Sequence, residues 1–182
     1  MKVPLSNAYK LLSPRIVVLV TTVDEKGRIN AAPFSFCGPI SIDPPMLSIG
    51  VRKFQHTYQN IKKTGEFVVN LVTEEFAQKA IDCEKAYPQG VNELEKVMLH
   101  WCDSEKVKPP RIKEAKIHLE CKLRNEIETG DHIMMVGEIV VANVEAVKEN
   151  YIPDFEKLKV IMHASGESFY SVGREIKLKR EK

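Results

Sequence analysis

The chain runs in short, strongly apolar segments separated by polar turns, with only brief stretches of helical period. Ile16-Val17-Val18-Leu19-Val20 lies within a β-branched, almost continuously apolar segment, residues 15–23, which reads as a buried strand. Residues 24–27 supply a turn, and residues 28–36 return as a second strand to make a hairpin. Gly38-Pro39 and Pro44-Pro45 punctuate the next stretch, and residues 46–51 form a third strand. Residues 54–63 read as a helix, with Tyr58 and Ile61 three apart on one face, Thr57 as a cap near the start and Gly65 just past the end. A fourth strand spans 67–72. A helix over 74–86 places Phe76, Ala80 and Cys83 near one face. Residues 87–110 are polar and irregular, with a short helix over 92–99. Two long strands, 115–127 and 133–147, are joined through Glu128-Thr129-Gly130-Asp131-His132, and 159–163 is a last strand before a looped tail. Near the start, residues 6–12 form a short helix that Pro14 ends. Six or more strands with two or three helices predict a mainly β protein, an antiparallel barrel with peripheral helices. Closing the sheet removes edges that would otherwise aggregate.

Composition narrows the picture. With 182 residues, 43% hydrophobic and 29% charged, the chain suits one globular domain spanning 1–182, with a short charged tail from about residue 175. A net charge of +2, from 27 basic and 25 interspersed acidic residues, argues against a nucleic-acid partner. No run approaches the roughly 20 apolar residues of a membrane span. The start lacks the apolar core and cleavage site of a secretory signal, so the expected location is the cytoplasm. Cys37, Cys83, Cys102 and Cys121 form no CxxC pair and read as free thiols, and His100-Trp101-Cys102 offers too few ligands for a metal site.

Two segments carry candidate chemistry. In Val51-Arg52-Lys53-Phe54-Gln55-His56-Thr57, two cations and a hydroxyl stand between a strand end and a helix start, where free N–H groups and the helix dipole favour an anion. Arg52 and Lys53 are equally readable as surface cations, and Thr57 as a cap alone. In Asn30-Ala31-Ala32-Pro33-Phe34-Ser35-Phe36, small residues would let a flat ring approach the backbone, and Pro33 keeps Ala32 extended. A plain barrel strand packed under a helix accounts for the same alanines.

The order of these pieces, through Asp43-Pro44-Pro45-Met46-Leu47-Ser48-Ile49, resembles the flavin reductase-like family of FMN-binding split barrels. The resemblance continues through Thr57, Gly65-Glu66-Phe67-Val68-Val69-Asn70, Gly130-Asp131-His132, Gly166 and Tyr170. It implies a Greek-key split β-barrel, a homodimer with flavin near the interface, FMN as cofactor and NADH or NADPH as electron donor. It also implies cofactor-binding roles for Asn30, Pro33, Ser35 and the backbone around Phe36 and Cys37. Arg52, Lys53 and Thr57 would take the phosphate, with Lys85 a weaker candidate. His132 would lie near the flavin and the nicotinamide, and Tyr170, in preference to His163, would cover a ring edge. Cys37 has the simpler reading of a buried small hydrophobe in the loop after the strand. The expected activity is NAD(P)H-dependent reduction of flavin, or of a small acceptor through it. The alternatives are an FMN-holding electron carrier that serves protein partners, and a barrel that has lost flavin. No Ser-His-Asp order or carboxylate pair nominates a catalytic acid or base, and no GxGxxG is present. Val91, Leu94, Val97, Met98, Leu99 and Trp101 in the irregular excursion would supply apolar surface for the dimer, or else cap one end of their own barrel.

Overall fold

The computed structural model describes residues 1–178, so residues 179–182 of the expected charged tail lie outside the described residues. A seven-stranded antiparallel sheet holds most of the chain. Its strands are β2 (Val18–Val23), β3 (Ile29–Phe34), β4 (Cys37–Ser41), β5 (Met46–Val51), β6 (Glu66–Leu71), β9 (Ile117–Thr129) and β10 (His132–Val144), in the order β3-β2-β6-β9-β10-β5-β4. β6, β9 and β10 are successive neighbours, and the preceding strand β5 lies beside β10, a Greek-key pattern. A second sheet joins β1 (Arg15–Ile16), β11 (Ile161–Ser165) and β12 (Ser168–Ser171), and a small ladder pairs β7 (Trp101–Cys102) with β8 (Arg111–Ile112). The helices are short: α1 (His56–Thr64), α2 (Ala77–Asp82), α3 (Glu93–Lys96) and α4 (Phe155–Leu158). Gly65 closes α1 in the left-handed conformation expected of it, with φ 72°.

The apolar run Ile16-Val17-Val18-Leu19-Val20, which leads into β2, has a simple cause: the chain is buried on both sides there. Val18 and Val20 enter the main core with Leu47, Ile49, Val51, Phe67 and Met135. Val17 and Leu19 point the other way, into a second core with Val72, Phe76, Leu94, Leu99 and Ile112. The expected strand 15–23 is divided at Val17, where the chain changes sheets. The Val17 N–H donates to Ile161 O at 3.3 Å, and its carbonyl accepts from Val72 N–H at 3.1 Å. The expected helix over 74–86 becomes a 3₁₀ turn, Glu74–Phe76, followed by the short α2. The excursion folds onto its own chain. Leu94, Val97 and Leu99 are buried in the second core and only Met98 of the six apolar groups is largely exposed, so this segment is not spare dimer surface.

The topology fixes one corner of the molecule. β3 and β4 are the two opposite edges of the seven-stranded sheet, yet only Ser35 and Phe36 separate them in sequence. Three residue steps span at most about 11 Å, at 3.3–3.6 Å per residue. The sheet must therefore curl until its edges approach each other at this corner. No ladder joins β3 to β4 among the described residues, so the sheet wraps like a barrel but stays open along a seam.

Candidate functional site

The seam is where three of the expected site residues, Phe36, His132 and Arg52, come together. Alternation along the chain sends Ser35 and Phe36 to different sides. The Phe36 ring lies 5.2 Å, centroid to centroid, from His132, which opens β10. The Tyr9 ring meets it edge-on at 6.2 Å, and the Arg15 guanidinium stands 5.4 Å over its face. Phe36 lies close along β5: Gly50 N–H donates to Phe36 O at 2.7 Å, and a Cβ at Gly50 would stand 3.0 Å from the Phe36 Cβ. Despite these neighbours Phe36 stays 39% exposed.

His132 leads from this ring to the cationic corner. Its Nδ1 donates to Asp131 Oδ1 at 2.7 Å, and the other Asp131 oxygen lies 3.5 Å from Arg52. The hydrogen bond from His132, then its charge and that of Arg52, hold the Asp131 carboxyl below the usual aspartate range. Arg52 is half exposed and its ion pair is long, so its guanidinium retains free donors. Lys53 differs: it is closely paired with Glu128 at 2.5 Å. Lys85 pairs with Asp82 at 3.3 Å beyond the end of α2, and among the described residues no hydrogen bond or ion pair links it to the Arg52 corner.

Two expected site residues are interior. Asn30 is 7% and Thr57 1% exposed. The Asn30 amide lies 3.2 Å from Thr57 Oγ1 and, in the orientation that satisfies both of its ends, donates to Glu93 Oε1 at 3.2 Å. Thr57 does not cap α1, because Gln55 holds the N-cap position. The pair belongs to a buried polar cluster with Thr22 and Asn60. Glu93 accepts the Ala31 N–H at 2.9 Å, and burial pushes its carboxyl up. This cluster ties the Asn30–Ala31 segment to α1 and α3, and leaves Asn30 and Thr57 largely buried.

On the Ser35 side a cleft of about 820 Å³ opens between the end of β3, α2 and the β11–β12 hairpin. Pro33, Phe34, Ile81 and Phe169 form apolar walls, and Glu84 and Glu167 stand at its rim. Ser35 Oγ lies 3.2 Å from His163 Nδ1, and the His163 ring stacks on Phe169 at 4.8 Å. Tyr170, expected to cover a ring edge, alternates to the other face of β12 and is 57% exposed, while Phe169 takes the wall position. Cys37 is not in a loop. It opens β4, packs against the main core, and burial pushes its thiol up to about 12, leaving a neutral group rather than a nucleophile. Arg15, Tyr9 and Phe169 carried no sequence signal, since each reaches the site through the second sheet or the N-terminal turn rather than through a motif.

The donor set fits a molecule with an anionic end and a flat face: Arg52 with free N–H groups, an imidazole, and an exposed ring beside them. The cleft, with carboxylates at its rim and no lysine or arginine in its lining among the described residues, does not suit a phosphate.

The sequence matches the family described as "Flavin reductase like domain" over residues 11–158. The chain belongs to the flavin reductase-like family. It is 37% identical to an uncharacterized protein of Aquifex aeolicus (strain VF5) over 176 residues, covering 93% of this chain and 90% of that protein. Among solved structures it resembles nitrilotriacetate monooxygenase component B from Bacillus cereus, at 30% identity and TM-score 0.87, covering 97% of this chain and 95% of that one. It also resembles flavoredoxin of Desulfovibrio vulgaris (Miyazaki F), at 25% identity and TM-score 0.87, over 98% and 97% of the two chains. These likenesses place the chain among flavin-related oxidoreductases of mainly β, split-barrel architecture. Among the described residues no helix is long and apolar enough to cross a membrane.

Proposed function

We propose that the protein is an FMN-binding oxidoreductase that passes electrons from NADH or NADPH to free flavin or a small acceptor. The observation that carries this reading is the seam itself, where an exposed Phe36 ring, His132 and a loosely paired Arg52 lie in one contact chain. When bound, FMN supplies two-electron redox chemistry that no side chain here provides. The chain's own part is to bind and orient. Arg52 takes the phosphate, with Lys53 contributing only if it leaves Glu128. Phe36 and Pro33 offer apolar surface to a ring. His132, fixed by Asp131, presents its remaining nitrogen at the open side, where a nicotinamide would dock. Asn30 and Thr57 support this surface indirectly, through the buried cluster.

The likeness to a flavoredoxin favours a second reading, an electron carrier that serves a protein partner and uses NAD(P)H poorly. Anaerobic addition of NADH and of NADPH to flavin-loaded protein separates the two. The reductase reading predicts rapid bleaching of the flavin absorbance by at least one nucleotide. Bleaching no faster than that of free FMN would leave the carrier. We further propose a homodimer built on the β4 edge, since Phe36, Ile40 and the 95% exposed Ile42 form an apolar strip beside the seam.

A further inference from the structure

We propose that Ser35 and His163 are a proton relay for an uncharged, quinone-type acceptor bound in the cleft. The inference rests on the oxidoreductase reading and adds to it the acceptor class and the source of the proton. The argument begins with the two nitrogens of one ring. His163 Nε2 lies 3.1 Å from the carbonyl oxygen of Gly166, and a carbonyl only accepts, so Nε2 carries a hydrogen in both the neutral and the charged ring. The proton that comes and goes is therefore the one on Nδ1. Nδ1 faces Ser35 Oγ at 3.2 Å, and Ser35, His163 and Gly166 all line the cleft. Stacking on Phe169, 4.8 Å away and within 28° of parallel, fixes the ring plane.

The direction of the Ser35 hydroxyl then depends on the ring. With Nδ1 bare, the hydroxyl donates to it, and the Ser35 oxygen offers the cleft only lone pairs. With Nδ1 protonated, the ring donates to Ser35, and the hydroxyl is free to donate into the cleft. A quinone needs that second state. It gains a hydride equivalent from the reduced flavin, whose ring under the oxidoreductase reading lies against Pro33 of the cleft wall, and one proton to become a hydroquinone. The Ser35 O–H bond breaks as the acceptor O–H forms. The His163 Nδ1–H bond breaks as the Ser35 O–H is restored. His163 is left neutral, still bonded to Gly166, and regains its proton from solvent. Glu84 and Glu167 at the rim, with no lysine or arginine in the lining among the described residues, select against anionic acceptors.

The test uses flavin-loaded protein photoreduced without air, so that nicotinamide use is not required. Reoxidation is followed with duroquinone, which takes up protons, and with ferricyanide, which takes only electrons. Ser35→Ala should lower the duroquinone-to-ferricyanide rate ratio at least about tenfold, and Ser35→Thr should restore it. Heavy water should slow the duroquinone reaction of the unaltered protein and have little effect on the Ser35→Ala variant. In flavin-free protein, nitrogen NMR should find the neutral His163 ring protonated at Nε2, with the Nδ1 signal changed by Ser35→Ala. An unchanged rate ratio, or a neutral ring carrying its proton on Nδ1, would overturn the relay. Failure of NAD(P)H to bleach the flavin would overturn the reductase reading instead and leave these results readable.

Discussion

His132 shows how much one residue's surroundings decide. By residue type alone a histidine after Gly130-Asp131 reads as a polar group at a strand start, and only the family resemblance brings it near a flavin. Here its Nδ1 is committed to Asp131 and its ring lies against the exposed Phe36, which leaves Nε2 as the nitrogen not used by Asp131. His132→Ala should therefore slow flavin bleaching by NAD(P)H more than it weakens FMN binding. Stopped-flow absorbance and flavin titration read the two separately, and an unchanged bleaching rate would return His132 to a strand-start role. Asn30 and Thr57 mark the limit of residue-level reading. Their types suit cofactor contacts, but polarity in the sequence does not say which way a side chain points. Here both are buried, with the Thr57 hydroxyl bonded to the Asn30 amide and the Asn30 amide donating to Glu93.

Elements with a single environment were legible, and elements that change environment were not. The strand expected over 46–51 is found as β5, Met46–Val51, because its apolar and small residues alternate against one core. The segment 15–23 looked like one strand because both its halves are apolar, and nothing in its composition records the change of sheets at Val17. β4 and β12 were hidden for other reasons. β4 carries Gly38-Pro39 on an edge where proline is tolerated, and β12 is short and largely exposed. Within β10, Gly137 sits at a register shift where a Cβ would collide with the Phe67 ring and stand 3.1 Å from the Cys121 Cβ. Gly137→Ala should cost about 1–3 kcal/mol by overpacking. Gly38→Ala, which meets open space, should stay within about 0.5 kcal/mol. Urea denaturation of both variants measures the contrast.

At the scale of the whole molecule, the curl of the sheet was legible as a barrel, but its seam was not. The seam depends on β3 and β4 being opposite edges, a long-range fact that local pattern does not carry. The dimer follows the same lesson. The excursion that looked like spare apolar surface fills the second core, and the exposed strip lies instead at Phe36, Ile40 and Ile42. Ile42→Glu should shift a dimer toward monomer in sedimentation over a dilution series and weaken FMN binding with it, by linkage. A dimer of unchanged strength would remove β4 from the interface.

The central claim is that the Arg52 corner of the seam holds a phosphorylated flavin. Its most direct test is titration of flavin-free protein with FMN and with riboflavin, in the unaltered chain and in Arg52→Ala. The account predicts that FMN binds more tightly than riboflavin by about 1.5–3 kcal/mol, the worth of a charge-assisted hydrogen bond, and that Arg52→Ala removes most of that difference while changing riboflavin affinity little. Equal affinities for the two ligands in the unaltered chain, or a preference for FMN that survives Arg52→Ala, would contradict it.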